Sequence, residues 1–456
     1  MLFNSISFLY FFLPITLFIY YLTPKKYKNY ILLISSFIFY FLGDSKYFIL
    51  LLLEIMIAYI GGLILKKNNN KYIDILVLSI PILLLGYFKY MDFILKTVNN
   101  IFNSKFRLLN VILPLGISFY TFQVLSYLID VKRKKINHEK NIIKLATYIS
   151  LFPKLISGPI TRYDEVDKYL EEKDISLDNI AYGIERFIIG LLKKVIIAGG
   201  LASLCTLYLD SPDKSVIFSL IYALSYTLEV YMDFSAYSDM AIGLGKMLGF
   251  TFPENFSYPL SALSITEFWR KWHITLGAWF RDYVYIPLGG SKKGNSKLIR
   301  NILVVWLLTG LWHGAAWNFI IWGLYYGIIL LIEKLVLKKY LDKIPKVIRH
   351  IYVLSIVLIS FVIFSSSDYL DILGNMFFLN NLPFINQVTI YYLKNYVFYI
   401  VFGMVLSSKS ILKIKDNKHL KKVFNFLEPI VLIVILLIVT ASLIDNSYNP
   451  FLYFKF

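Results

Sequence analysis

Apolar residues run along this chain in blocks of fifteen to twenty, separated by short stretches rich in Lys and Asn. A helix needs about 20 apolar residues to cross a hydrocarbon core of about 30 Å. Blocks at about 7–23, 29–43, 46–65 and 73–88 predict four opening spans. Residues 89–110 mix Lys, Asn and Phe at helical spacing, the pattern of a helix lying at the membrane surface. Another span is predicted from about Leu113 to Asp130. Residues 141–160 are apolar but broken by Pro153, Lys154, Gly158 and Pro159. Irregular backbone at membrane depth is tolerated only where other helices or a wet cavity satisfy its polar groups. Spans follow at about 184–208 and 214–233, then a stretch from Ser238 to Phe250 too short to cross simply. Candidates at about 298–316, 317–337, 350–366, 390–408 and 428–444 complete the series. The pattern predicts an all-α polytopic integral membrane protein of roughly ten to twelve crossings with re-entrant pieces. No repeat period or linker interrupts it, so one membrane domain over residues 1–456 is expected.

Composition agrees: 58% of the residues are hydrophobic and 17% charged, against about 25% charged in soluble chains. The 47 Lys and Arg outnumber the 29 Asp and Glu, a net charge of +18. The excess sits in short loops, at Lys25, Lys26 and Lys28, at Lys66, Lys67 and Lys71, and from Lys132 to Lys135. That is the distribution of cytoplasmic loops, and it places the N-terminus outside. Attraction to anionic lipid of the bilayer would add to it. No basic–aromatic groove accompanies the charge, so nucleic acid is not an expected partner. The first span begins near Ser7 without a basic leader or small-residue cleavage site, and is expected to be retained. The single cysteine, Cys205, excludes an intramolecular disulfide and reads as a small buried hydrophobe.

Ionisable groups among apolar spans are costly and mark functional sites by default. Three segments concentrate them. Asp233, Ser235, Ser238 and Asp239 fall at the end of a predicted span; the plainer reading is Ser235 or Ser238 capping a short helix that starts near Asp239. Ser264-Ile265-Thr266-Glu267 is a capping-box pattern. It predicts a helix on whose single face Trp269, Trp272, His273, Leu276 and Phe280 recur, with Arg281, Asp282 and Tyr283 following. The third segment is the span holding Trp312 and His313, with Lys292, Lys293, Lys297 and Arg300 at its cytoplasmic start. Ile302 to His313 rises roughly 16 Å, which puts His313 near the midplane. A desolvated neutral imidazole accepts a proton at neutral pH, as a general base must. Gly310 and Gly314 flank it and would let a substrate or another helix come close. Metal binding fits poorly: His138, His350 and His419 fall in basic, loop-like stretches, and no His pairing has ligand spacing.

In this order, six stretches resemble the membrane-bound O-acyltransferase family, and its bacterial alginate O-acetyltransferase-like branch in particular. They are Pro114 to Gln123, Phe152 to Ile160, Asp233 to Gly243, Glu267 to His273, Trp279 to Gly290, and Thr309 to Gly314, a motif-bearing core over about 110–330. Gly277 and Ala236 depart from the pattern, standing where the family usually has serine and glycine. The resemblance implies a ring of tilted helices around a central acyl-transfer tunnel. It implies His313 as the catalytic histidine and His273 as its companion. Trp312, Asp233, Ser235, Asp239, Trp272, Arg281, Asp282 and Tyr283 are the implied substrate-binding or tunnel-lining residues. The donor would be an acyl thioester, acetyl-CoA or an acyl carrier, used as a substrate, with no permanently bound cofactor and no metal. The acceptor would be an extracytoplasmic polysaccharide or cell-wall polymer, reached directly or through an extracytoplasmic acetyltransferase or polysaccharide-synthesis partner. The setting would be the bacterial inner or plasma membrane. A D-alanyl transferase for teichoic acids of the same family is the nearest alternative. A transporter or flippase would show internal symmetry that this chain lacks, and an inactive scaffold would not need the two histidines.

Overall fold

The computed structural model describes residues 1–67, 69–292, 294–409 and 418–445; Lys293 lies outside the described residues. Every regular element among them is helical. Among the described residues, eight helices are long and apolar enough to cross a membrane: Ser45–Lys67, Lys71–Phe102, Leu177–Asp210, Val216–Met247, Trp317–Leu341, Lys346–Ser365, Gln387–Ser407 and Phe426–Asp445. The apolar helices Lys28–Gly43 and Ile117–Lys132 have only 16 residues each, below the length of a simple crossing.

Two of the expected breaks do not exist. The span near 73–88 and the surface helix at 89–110 are one helix of 32 residues, Lys71–Phe102, with Pro81 inside it. Its start is capped by Asn70, whose side chain accepts from the Tyr72 N–H at 2.9 Å. The helix Val216–Met247 likewise runs 32 residues, straight through Asp233-Phe234-Ser235-Ala236-Tyr237-Ser238-Asp239. Ser235 and Ser238 therefore cap nothing; Ser235 Oγ turns back toward the Met232 carbonyl at 3.4 Å. The polar run suggested a helix end because its partners are far away in sequence. A short helix, Tyr369–Met376, falls between predicted spans. His350 and His419 are helical, within Lys346–Ser365 and Lys418–Asp445, not in loops.

The chain packs as two compact units, Met1–Phe187 with Ser238–Pro253, and Ile188–Tyr237 with Glu254–Phe456. In the first, Lys154 is fully buried, donates to Gln123 Oε1, and sits 4.3 Å from the Tyr148 ring centroid. This contact pins the irregular segment around Pro153. Asp239 is held there by Arg186, through Nε at 3.1 Å and Nη2 at 2.9 Å. Tyr20 and Tyr21 hydroxyls donate to the Leu248 and Met247 carbonyls at 2.7 and 2.6 Å, satisfying groups that a helix C-terminus leaves open.

The second unit is built on a hairpin of Asn295–His313 and Trp317–Ile332. Glycines set its spacing. A methyl on Gly310 would lie 2.4 Å from the Phe319 carbonyl oxygen, and one on Gly323 2.4 Å from the Trp306 carbonyl oxygen. Removing the side chains lets the backbones touch, the small-residue mode of membrane helix packing. Gly314 is needed for the same reason, since its Cβ would strike the Phe319 ring at 2.1 Å. Both glycines flanking His313 therefore admit a helix, which is one of the two roles expected of them. Trp306, Trp322 and Tyr326 of the hairpin interlock with Trp269, with ring centroids 4.5–6.2 Å apart.

Candidate active site

Both histidines belong to the second unit, and both are buried. The helix beginning at Ser264 forms as expected. Ser264 Oγ accepts from the Glu267 N–H at 3.0 Å, and Glu267 Oε2 accepts from the Leu263 N–H at 2.8 Å. It is shorter than the aromatic periodicity predicts. It stops at Lys271, and a second helix, Ile274–Phe280, starts after His273. His273 adopts φ +44°, a conformation uncommon for a residue other than glycine, and such strain gathers at functional sites. What breaks the helix is the segment 255–257. The Asn255 carbonyl accepts from the Ile274 N–H at 2.9 Å, and the Ser257 N–H donates to the Lys271 carbonyl at 3.0 Å. The helical periodicity of the aromatic stripe could not reveal a competitor from outside it.

Asn255 also fixes the His273 ring. Its Oδ1 accepts from the Thr275 N–H at 3.2 Å and lies 2.9 Å from Thr275 Oγ1 and 3.1 Å from His273 Nδ1. A backbone N–H can only donate, so the atom it meets is the amide oxygen, and that oxygen takes a proton from Nδ1. His273 is thus the Nδ1–H tautomer, with its lone pair on Nε2. That nitrogen is buried and has no hydrogen-bond partner among the described residues. Burial pushes the imidazole down to about 3, because the charged ring would lose its hydration.

Trp312 lies between the histidines, its centroid 5.7 Å from that of His273 and 5.0 Å from that of His313. His313 is the last residue of its helix, not a mid-helix residue. Trp322 and Phe364 enclose it edge-on, at 4.9 and 5.4 Å. Phe234 meets the His273 ring at 4.6 Å.

A cavity of about 330 Å³ opens beside His273. Trp269, Trp272, Leu276, Phe280, Trp306 and Thr309 form much of its wall, and Arg281 and Lys334 add two cations. Two stretches of wide, i→i+5 helical turns, Arg281–Tyr285 and Glu333–Leu337, both contribute to its lining; such turns are frequent at functional sites. Glu333 is buried and accepts the Ile265 and Thr266 N–H groups at 2.7 and 2.8 Å. It ties the start of the His273 segment to the hairpin.

The remaining expected residues divide. Trp272, His273 and Arg281 line the cavity. Asp282 pairs with Arg281, with Nε–Oδ1 at 2.7 Å and Nη2–Oδ2 at 3.1 Å. Tyr283 is buried against Trp279, 5.2 Å between centroids. Asp233 forms a buried ion pair with Lys194 at 2.5 Å. Asp239 belongs to the other unit, paired with Arg186. Asn255 and Glu333 were missed, and neither lies in a pattern that would have flagged it. Among the described residues no group of three or more His, Cys, Asp or Glu is placed to hold a metal ion.

Among the described residues, eight helices apolar and long enough to cross a membrane, with two buried imidazoles packed on Trp312, give the chain the form of a multi-pass membrane protein. Residues 103–370 match the sequence profile of the membrane-bound O-acyltransferase family. The chain belongs to that family, and it is an acyltransferase that takes an acyl donor as substrate. It is 39% identical over 390 residues to a probable alginate O-acetylase of Azotobacter vinelandii, covering 83% of this chain and 77% of the relative. It is 35% identical over 408 residues to a peptidoglycan O-acetyltransferase of Helicobacter pylori, covering 81% and 77%. A teichoic acid D-alanyltransferase of Bacillus subtilis is 31% identical over 234 residues, covering 48% and 59%. With these bacterial relatives, the apolar helices make it a multi-pass protein of the bacterial inner membrane.

Proposed function

We propose that the chain moves an acetyl group from a cytoplasmic thioester, acetyl-CoA or an acyl carrier, to a hydroxyl of an extracytoplasmic polysaccharide or cell-wall polymer. The transfer is direct or passes through an extracytoplasmic partner protein. The observation that carries the reading is the buried His273–Trp312–His313 array, whose His273 lines a largely apolar cavity that also has Arg281 and Lys334 in its lining. His313, near the middle of the bilayer, takes the proton of the acceptor hydroxyl. The oxygen attacks the thioester carbonyl, the C–S bond breaks, and the thiolate leaves and is then protonated. Removing such a base costs typically 10²–10⁴-fold in rate. His273, with Nε2 free to accept, orients donor or acceptor. Arg281 and Lys334 suit the phosphates of the donor, and Asp282 and Tyr283 hold that side of the cavity. Trp272 lines the apolar passage, and Trp312 packs against both histidine rings. Asp233, Ser235 and Asp239 remain substrate-side candidates on one long helix. One membrane domain, with its motif-bearing core at about 110–330, carries these parts.

The acetyl reading over a D-alanyl one is supported by coverage: the acetylating relatives match over 81–83% of this chain, and the D-alanyl relative over 48%. The test is thiol release and acyl transfer from acetyl-CoA and from a D-alanyl carrier protein, with wild type and His313→Ala. Transfer from acetyl-CoA that disappears in the variant, at unchanged membrane yield, is expected. Undiminished transfer by His313→Ala overturns the catalytic assignment. Transfer from the D-alanyl carrier alone overturns the acetyl assignment.

A further inference from the structure

Gly277 follows His273 by four residues and precedes Arg281 by four, one helical turn in each direction. All three line the same cavity, so its wall passes from a buried imidazole, through a glycine, to a guanidinium that is 60% exposed. Several glycines of this unit are required by packing: a Cβ on Gly200, Gly310, Gly314 or Gly323 would meet atoms at 2.4 Å or closer. At Gly277 a Cβ would meet nothing within 4 Å. No neighbouring backbone therefore requires glycine there, and the helical geometry of Ile274–Phe280 is open to any side chain. Glycine in a helix costs roughly 1 kcal/mol relative to alanine, so its position against open space calls for a reason other than packing. That space is the cavity, at the level between its exposed cation and the imidazole.

We propose that Gly277 sets the size of the acyl group that reaches His273. This rests on the reading of the cavity as the donor's path. Any group carried from the Arg281 level to His273 passes Gly277, with Val305, Trp306 and Thr309 contributed to the cavity by the hairpin. A side chain at 277 narrows this passage from the one wall that now lacks one. With glycine, the cavity accepts acyl groups longer than acetyl. One methylene in an apolar pocket discriminates by about 10–200-fold, so each narrowing step should be readable in the rates.

The test measures transfer from acetyl-, propionyl- and butyryl-CoA by wild type and the series Gly277→Ala, Gly277→Val and Gly277→Leu. The propionyl-to-acetyl and butyryl-to-acetyl rate ratios are expected to fall stepwise, by at least tenfold from glycine to valine. Ratios that do not change along the series overturn the proposal, as does a wild type that already rejects propionyl-CoA more than a hundredfold. A second measurement keeps the two readings apart. Gly277→Cys puts a thiol on the cavity wall, while the one native cysteine, Cys205, is buried. Alkylating the folded Gly277→Cys protein should reduce acetyl transfer at least tenfold relative to the same protein untreated. Loss on alkylation with unchanged ratios overturns the size-setting role alone. Full transfer after stoichiometric alkylation overturns the cavity as the donor path, and this inference with it.

Discussion

Adding one methyl group at Gly310 should damage both folding and transfer. The methyl would lie 2.4 Å from the Phe319 carbonyl oxygen, where ordinary contact begins at 3.4 Å, so the two helices must part by about 1 Å. No flexible side chain can yield, because the atom struck is backbone. Gly323 offers no relief, since its own Cα is already 3.3 Å from the same methyl. Overpacking of this kind costs typically 1–3 kcal/mol, and Gly310→Ala should sit at the upper end. His313 is three residues further along the same helix and would be carried with it. A misplacement of about 1 Å can cost 10²-fold in rate. The comparison is Gly86→Ala in the helix Lys71–Phe102, where the methyl meets nothing within 4 Å. That change should be neutral or stabilise by up to about 1 kcal/mol. Thermal unfolding of purified protein in detergent and acyl transfer from labelled acetyl-CoA report the two effects. Gly310→Ala with wild-type melting and wild-type transfer would refute the argument from backbone contact.

Asn255→Ala should lower stability by about 2 kcal/mol or more, since three buried donor groups lose the shared oxygen on which they converge; detergent melting curves check this. Asn255→Asp keeps an acceptor but sets a carboxylate against His273, raising its pKa from about 3. Once protonated, Nε2 has no lone pair, so transfer by this variant should fall as pH is lowered, while the wild-type ring stays neutral over about pH 5–8. A pH–rate profile unchanged from wild type would contradict the role given to Nε2. Lys194→Met or Asp233→Leu alone should each cost about 3–5 kcal/mol, by breaking the buried ion pair from one side, whereas the double replacement should recover most of the loss. Melting temperatures of the three variants decide it, and equal losses in all three would argue against a buried pair.

Hydropathy located nearly every span because a lipid-facing helix must be apolar along its length. It failed where an interaction across the sequence changed the local outcome. The run at Asp233 and Asp239 looked like a helix end because two carboxylates cannot lie in lipid alone; Lys194 and Arg186, 39 and 53 residues away, neutralise them and let the helix continue. The aromatic stripe through His273 looked like one helix because periodicity is blind to the strand of backbone at 255–257 that cuts it. The Trp312–His313 pair was legible from rarity alone, being polar chemistry inside an apolar block. Asn255 was not, because an asparagine in Pro253-Glu254-Asn255-Phe256 resembles any loop asparagine until the fold brings Thr275 and His273 onto its oxygen.

The way Asn255 holds His273 also restricts what the ring can say to a ligand. With its one proton committed to the amide oxygen, the imidazole presents a pure receiver to the buried side. It cannot lend a proton to a negative oxygen, so the charge that builds on a carbonyl during transfer must be answered elsewhere. A molecule that satisfies this nitrogen has to bring its own N–H or O–H. The chemistry of the fitting partner is thereby written in the negative, by the hydrogen that an asparagine keeps out of reach.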